Sequence, residues 1–215
     1  MKVGIVGSGN MGGSLGTLWA RAGHEVIFSY SRDDDNLCQL ATLAGERATV
    51  GTPAEAVAQS EVILLAVGFP MLEAVMPTLG ALDGKVILTC MSGLRPDFTG
   101  QTIGLPTELK ISVAERVQQL APHAHVVEAF NITFAEVLAS ESRQFGSDRP
   151  SIFYCGNNPD AKKIVAGLIQ ECGYDAVDAG ELIVARSLET LATAWVQFAV
   201  ASQLFPDLGL KALRR

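Results

Sequence analysis

The chain has 215 residues, of which 48% are hydrophobic and 18% are charged, and its formal net charge at pH 7 is -7. This length suits one good-sized domain with a small appendage, and the apolar fraction predicts a sizeable buried core. The negative charge argues against a nucleic-acid-binding surface.

Cysteine usage and apolar patterning point to the cytoplasm. The four cysteines have no metal-ligand spacing, which indicates free thiols in a reducing compartment and predicts no metal site. The opening MKVGIVGSGN lacks the long apolar stretch of a signal peptide. The apolar run LATAWVQFAVASQLF is interrupted by polar residues and is too short to span a membrane.

The first predicted strand, Lys2–Val6, leads directly into GSGNMG and a helical pattern that ends near Gly23. Gly7, Gly9 and Gly12 have the spacing of a dinucleotide-binding loop, and the strand and helix supply the context that this motif requires. The glycines permit a tight turn, close approach of a pyrophosphate and close helix–strand packing, while the helix N-terminus favours anions. Three further residues are expected to meet the cofactor through backbone atoms: Ser8, Asn10 and Met11.

The second strand, Glu25–Ser29, is followed by Ser31 and Arg32, where such folds contact the adenine-side ribose. An NAD enzyme usually has a carboxylate there, whereas a hydroxyl and a guanidinium suit the 2′-phosphate of NADP(H). Three aspartates follow, and we expect Asp33 to cap a helix whose first turn contains the other two. A solvated surface arginine is the alternative interpretation of Arg32.

The remaining predicted strands are short apolar runs separated mostly by helical patterns: Val62–Val67, Lys85–Cys90, His125–Phe130, Ser151–Cys155 and Tyr174–Ala179. Apolar strands without alternation are buried on both faces, which indicates a parallel sheet covered by helices on both sides. The sequence therefore predicts a doubly wound α/β fold of the Rossmann type over residues 1–180. Residues 181–215 are expected to form a small helical C-terminal segment, too short to fold alone.

The long loop Met91–Glu108 follows a strand's carboxyl end, where ligands bind in such sheets. Arg95 within it could bind an acidic part of a substrate, and an exposed loop arginine is an equal alternative. Asn131 also follows a strand and could contact a nicotinamide carboxamide or ribose, or cap the local segment TFAEVLAS. The aromatic residues Trp195, Phe198 and Phe205 are expected to serve the core or a dimer interface rather than to stack on a ring.

No side chain is convincing as a catalytic acid or base. His24 lies in a turn far from the expected nicotinamide, and His123 and His125 precede a strand at its amino end. A dehydrogenase acting on alcohols needs a proton donor near the carbonyl oxygen, whereas a flavin-like acceptor delocalises the arriving charge over its own ring. The catalytic residues are therefore left unassigned.

The sequence resembles the NADP oxidoreductases that use coenzyme F420, a deazaflavin, and their bacterial relatives. The resemblance is carried by MKVGIVGSGNMGGSLG, by SVAERVQQLAPHAHVVEAFN and, most specifically, by YCGNNPDAKKIVAGLIQECGYDAVDAGELIVARSLETL. Phe130–Asn131 is the pattern of the broader bacterial relatives and of the related domain of metalloreductases, whose acceptors differ.

This resemblance implies hydride transfer between NADPH and a small flavin-like or deazaflavin acceptor. It further implies a homodimer in which the C-terminal segment closes the acceptor cleft. It assigns cofactor contacts to the segment after the third predicted strand: Ala66, Val67, Gly68 and Phe69. Two alternatives stay open, a relative of pyrroline-5-carboxylate reductase and a non-catalytic module that senses NADPH.

Overall fold

The computed structural model describes residues 1–31, 34–92, 110–213 and 215. Its centre is an eight-stranded sheet in the order β3-β2-β1-β4-β5-β6-β7-β8. The strands are β1 (Lys2–Val6), β2 (Glu25–Ser29), β3 (Ala48–Val50), β4 (Val62–Leu65), β5 (Val86–Thr89), β6 (His125–Glu128), β7 (Ser151–Gly156) and β8 (Asp175–Gly180). Strand order reverses at β1, so the sheet is doubly wound, and the predicted α/β Rossmann-type fold is confirmed.

Helices cover both faces of this sheet. They are α1 (Asn10–Arg21), α2 (Asp34–Ala44), α3 (Pro53–Gln59), α4 (Leu72–Val75), α5 (Val113–Leu120), α6 (Ala135–Ala139), α7 (Pro159–Glu171) and α8 (Ala185–Ala201). The core on one face joins Ile63, Leu65 and Ile87 to α5 and α8, while the other face packs against α1 and α7. The central strands β4 and β5 are buried on both sides, as their unbroken apolar sequences predict.

The expectation of a wholly parallel sheet is wrong at one place, because β7 runs antiparallel to β6. The connection between them contains only the five-residue helix α6, which rises about 7 Å. That is short of the roughly 13 Å height of a four-residue strand, so α6 does not return the chain to the sheet's opposite edge. β8 then pairs parallel to β7 after the full-length helix α7.

Two elements were not predicted from the sequence, namely β3 and α3. The start of α3 has a recognisable signal, because Thr52 and Glu55 form a reciprocal capping box with Pro53 at the first helical position. The segment that starts at Phe69 forms a single α-turn between two 3-10 turns rather than a longer helix. Pro77 lacks the amide donor that a longer helix would need.

The C-terminal segment is helical only in part, which corrects the expectation of helix to the end. α8 ends at Ala201, and the following residues return along β7, where Ser151 N donates to Leu210 O at 2.7 Å. Phe205 consequently lies beyond the helix rather than on it. None of the helices in the described ranges combines the length and apolar character needed to cross a bilayer.

Candidate functional site

The loop between β1 and α1 is built by its glycines. Gly7 has φ 103°, and a Cβ there would lie 2.5 Å from the Ala66 carbonyl oxygen; a Cβ on Gly12 would lie 2.0 Å from the Gly7 carbonyl oxygen. A Cβ on Gly9 meets nothing within 4 Å, so this backbone faces open space. Two of the glycines thus shape the loop, and the third leaves it open to a ligand.

The first amides of α1 have no side-chain cap among the described residues. Gly9 is the N-cap and supplies no side-chain oxygen, and the first turn carries no acidic residue. The first N–H groups of a helix lack intrahelical acceptors and carry a partial positive charge. The amides that begin at Asn10 therefore form an anion-binding position, with Met11 beside them in the wall of the adjacent cavity.

The end of β2 is held against this loop by backbone and side-chain hydrogen bonds. Ser8 donates its N–H to Tyr30 O at 3.0 Å, and its carbonyl accepts from Asn36 Nδ2 at 2.8 Å. Both backbone groups of Ser8 are therefore engaged within the protein. The same Asn36 amide lies 3.4 Å from Ser31 Oγ, which fixes Ser31 next to the loop. Arg32 and Asp33 lie outside the described residues, and so does Arg95.

The end of β6 carries a residue in an unusual backbone conformation. Phe130 has φ 64°, a left-handed value that is uncommon for a bulky residue. Its fully buried ring makes edge contacts with Trp19 and Tyr174 at centroid distances of 6.2 and 6.3 Å. Such strain persists where the surrounding packing imposes it, commonly at functional sites. Here it directs the chain so that Asn131 follows at the sheet's carboxyl edge.

Asn131 is nearly buried, and both its amide oxygen and its amide nitrogen lack a hydrogen-bond partner in the described part of the chain. A buried polar group without a partner costs roughly 1–3 kcal/mol. Asn131 lines a cavity of about 550 Å³ that begins at Asn10 and extends along the carboxyl ends of β4, β5 and β6. This volume lies in the range of small-ligand sites.

The cavity brings together residues from several parts of the chain. The segment after β4, predicted to contact the cofactor, contributes Ala66, Val67, Gly68 and Phe69. The start of the long central loop contributes Met91 and Ser92, and α6 contributes Ala135 and Glu136. Of the predicted site residues, Asn10, Met11 and Asn131 also line it, whereas Gly7, Ser8, Gly9, Gly12 and Ser31 lie in or beside the phosphate loop.

The far wall of the cavity is formed by the C-terminal segment. Trp195 on α8 lines the cavity together with Phe205, whose ring packs edge-on against Phe134 at 5.0 Å. The Trp195 indole nitrogen is buried and has no partner among the described residues. Sequence reasoning assigned these aromatics to the core or to a dimer interface, because nothing local reveals that α8 folds back over the sheet's carboxyl edge.

The chemistry of the lining is mostly apolar. Among its described residues there is no Lys, Arg or His, and Glu136 is the single carboxylate. Burial raises the pKa of the Cys90 thiol to about 12, so this lining residue is a neutral thiol rather than a nucleophile. His24 lies elsewhere, with Nε2 2.6 Å from Glu171. Within the described ranges, no group of His, Cys, Asp or Glu could hold a metal ion.

Two buried carboxyl groups below the cavity were missed in the sequence. Glu128 ends β6 with no exposed surface, and Glu189 on α8 is equally buried. Burial and the facing Glu189 carboxyl raise the pKa of Glu128 well above its usual range. An acidic residue inside the apolar strand HVVEAF was the available signal, because charged residues are rarely fully buried.

Residues 2–93 match the family described as NADP oxidoreductase, coenzyme F420-dependent. The chain is 25% identical to a protein of known structure from Arthrobacter sp. assigned as an F420-dependent NADP-reductase, with a TM-score of 0.85 and full coverage of both chains. A hypothetical protein from Sinorhizobium meliloti is 26% identical with a TM-score of 0.73, and the match covers 86% of this chain and 88% of that one. The predicted resemblance to the F420-dependent NADP oxidoreductase family is confirmed.

The curated relatives are longer proteins. The metalloreductase STEAP3 of Rattus norvegicus is 30% identical over 190 residues, which are 88% of this chain but 36% of the relative. The human metalloreductase STEAP2 is 24% identical and is likewise covered over 36% of its length. The chain thus spans about a third of the length of the curated relatives it matches.

Proposed function

We propose that this chain is an NADPH-dependent oxidoreductase that transfers hydride between NADP(H) and a flavin-like or deazaflavin acceptor. The observation that carries the proposal is the continuity of the site. One cavity runs from the helix N-terminus at Asn10, past the Asn131 amide, which has no partner in the described part of the chain, to an aromatic wall at Trp195.

The phosphate loop fits a dinucleotide. Gly9 leaves its backbone open, and the amides at the start of α1 offer donors to a pyrophosphate. The amide nitrogen and oxygen of Asn131 have no partner among the described residues, and together they offer the donor and acceptor that complement the nicotinamide carboxamide. When bound, NADPH supplies a hydride from its nicotinamide ring, and the residues of this chain hold and orient it.

The choice of NADP over NAD rests on the residues after β2. Ser31 is held beside the loop by Asn36, and Arg32 follows it in sequence. A guanidinium can donate two parallel charge-assisted hydrogen bonds to a 2′-phosphate, each contributing about 1.5–3 kcal/mol. We therefore propose NADP(H) as the cofactor.

The class of hydride acceptor is inferred from the residues that line the cavity. An apolar pocket whose described lining has no Lys, Arg or His and a single carboxylate, Glu136, suits a ring that takes up hydride and spreads the resulting charge over its own atoms. Pyrroline-5-carboxylate carries a carboxylate, and the described lining offers no cation to receive it. We therefore prefer a flavin-like acceptor to pyrroline-5-carboxylate as the substrate.

The organisation of the chain is part of the proposal. Residues 1–180 would form the NADP-binding domain, and residues 181–215 would close the acceptor cleft and contribute to a homodimer. The segment exposes several large apolar residues that suit an interface: Ile183, Phe198, Val200, Leu204 and Phe205. Light scattering coupled to size-exclusion chromatography would give twice the chain mass for a dimer.

NADPH oxidation, followed at the nicotinamide absorbance band with deazaflavin, FMN and a ferric chelate as acceptors, tests the function. We expect turnover with at least one flavin-like acceptor and slower turnover with NADH. Tight NADPH binding without turnover of any acceptor would instead support the NADPH-sensing alternative. Turnover with the ferric chelate but with neither ring acceptor would keep the oxidoreductase and refute the acceptor class.

A further inference from the structure

Glu128 and Glu189 form a buried carboxyl pair that joins the sheet to the C-terminal helix. Glu189 accepts the backbone N–H groups of Val113 and Ala114 at 3.0 and 3.2 Å, so it caps the start of α5. Glu128 faces Glu189 within hydrogen-bonding reach. No donor from the described residues reaches either oxygen of Glu128.

The hydrogen bonds made by the two carboxyl groups determine which of them holds a proton. Two buried carboxylates cannot face each other without a proton between them, because like charges repel strongly in a medium of low dielectric. Glu189 already has two amide donors, whereas Glu128 has none. Glu128 is therefore the protonated partner, and its O–H donates to the Glu189 carboxyl.

The described titratable groups around the pair are two thiols and an ion pair. Cys90 lines the cavity just after β5, and Cys155 lies opposite Glu128 on β7. Burial raises the pKa of both thiols, so they stay neutral through mildly alkaline pH. Beside Glu189, Glu115 is paired with Arg186 through two hydrogen bonds of 2.6 and 2.7 Å.

The pair lies directly under the acceptor wall. Ala192 and Trp195, which line the cavity, follow Glu189 on α8 by about one and two helical turns. We propose that Glu128 and Glu189 are positioning residues, which dock α8 through a proton held on Glu128 and thereby keep the acceptor wall in place. The effect on the acceptor rests on the proposed function, whereas the docking itself does not.

The docking of α8 weakens as the pH rises, because Glu128 holds its proton only when α8 is docked. Burial raises the pKa of Glu189 to about 7, so above this pH it is mostly ionised even when docked. Glu128 keeps its proton when docked, because burial and Glu189 hold its pKa well above the usual range, and it loses the proton when α8 lifts away. Undocking above pH 7 thus releases one proton, and over the range in which docked Glu128 keeps its proton each pH unit favours undocking about tenfold.

Hydrogen–deuterium exchange read by mass spectrometry tests the docking without any substrate. After correction for intrinsic exchange, we expect protection of the α8 peptide to fall as the pH rises from 7 to 9, by up to about tenfold per pH unit while Glu128 keeps its proton. Protection of the α1 peptide should stay constant. The variant Glu128→Gln keeps a donor towards Glu189 but cannot ionise, so its α8 protection should change by no more than about twofold over this range, the part that Glu189 contributes near pH 7.

Steady-state kinetics with deazaflavin over the same pH range test the consequence. The acceptor KM of the wild type should rise with pH, whereas the Kd for NADPH should stay constant because the 2′-phosphate is already ionised above pH 7. Glu128→Gln should flatten the KM profile. Absence of turnover would refute the proposed function, and the exchange experiment would still decide the docking. Equal pH dependence of α8 protection in wild type and Glu128→Gln would overturn the inference.

Discussion

The two ends of the cavity are built in different ways. The phosphate loop is made of backbone: three glycines, a helix N-terminus and hydrogen bonds between neighbouring strands. The acceptor wall is made of side chains from α8, and it is held by contacts between residues that are far apart in sequence, such as Glu189 with Val113. A site built from backbone can be recognised by the spacing of a few neighbouring residues, such as the glycines of the phosphate loop. A site built from distant side chains has no such local pattern.

The largest effect is expected from a substitution in the phosphate loop, which forms the backbone-built end of the cavity. Gly12→Ala would place a Cβ 2.0 Å from the Gly7 carbonyl oxygen, so the loop must move. We expect a loss of about 3 kcal/mol in the free energy of unfolding, as for severe overpacking, and NADPH binding weakened more than about tenfold. Chemical denaturation and titration calorimetry measure the two quantities.

Gly9→Ala is the matched control for that change. Its Cβ meets nothing within 4 Å, so the stability should stay within about 0.5 kcal/mol of the wild type. NADPH binding should still weaken, because the methyl group enters the space proposed for the phosphates. Unchanged NADPH affinity in this variant would argue against the loop as the pyrophosphate site.

A smaller effect is expected from removing Arg32, which we propose binds the 2′-phosphate of NADPH. Arg32→Ala should raise the Kd for NADPH at least about tenfold and leave that for NADH little changed, because one charged hydrogen-bonding partner of the 2′-phosphate is removed. Calorimetric titrations with both nucleotides measure this difference. Equal losses for NADPH and NADH would remove Arg32 from the phosphate-binding role.

The smallest effect concerns the side-chain wall. Trp195→Phe removes an indole N–H that has no partner among the described residues, so no hydrogen bond is lost in the free protein. We expect the free energy of unfolding to change by less than about 1 kcal/mol in either direction. Thermal unfolding checks this value. A much larger loss would mean that the indole ring supports the core rather than lining a ligand site.

The same contrast explains what could be predicted from the sequence. Gly7 and Gly12 occupy positions where a Cβ would clash, and their spacing with Gly9 is visible in the sequence, so the loop, the first strands and the fold class were predicted correctly. Short elements with weak patterns, β3 and α3, were missed, although Thr52 and Glu55 carried a capping signal. The antiparallel direction of β7 depends on the path that the chain takes between β6 and β7. The hydrophobic periodicity of a short segment does not indicate that path.

The acceptor end was harder for a physical reason. Trp195 and Glu189 follow the helical spacing of any buried helix, and the role of Trp195 emerges only because α8 lines the same cavity as the residues that follow β5 and β6. Glu128 could have been found as an acidic residue in an apolar strand, but its partner on α8 could not. Long-range packing, rather than local propensity, determines which side chains meet there.

Transfer of label from NADPH deuterated at the hydride-donating position of its nicotinamide tests the central claim most directly. A deazaflavin is the suitable acceptor, because the hydride arrives on a carbon from which deuterium does not exchange with water. If the cavity holds donor and acceptor in contact, mass spectrometry will find one deuterium on each reduced deazaflavin formed in ordinary water. Reduced deazaflavin without deuterium, or none formed while NADPH is bound, would contradict direct hydride transfer at this site.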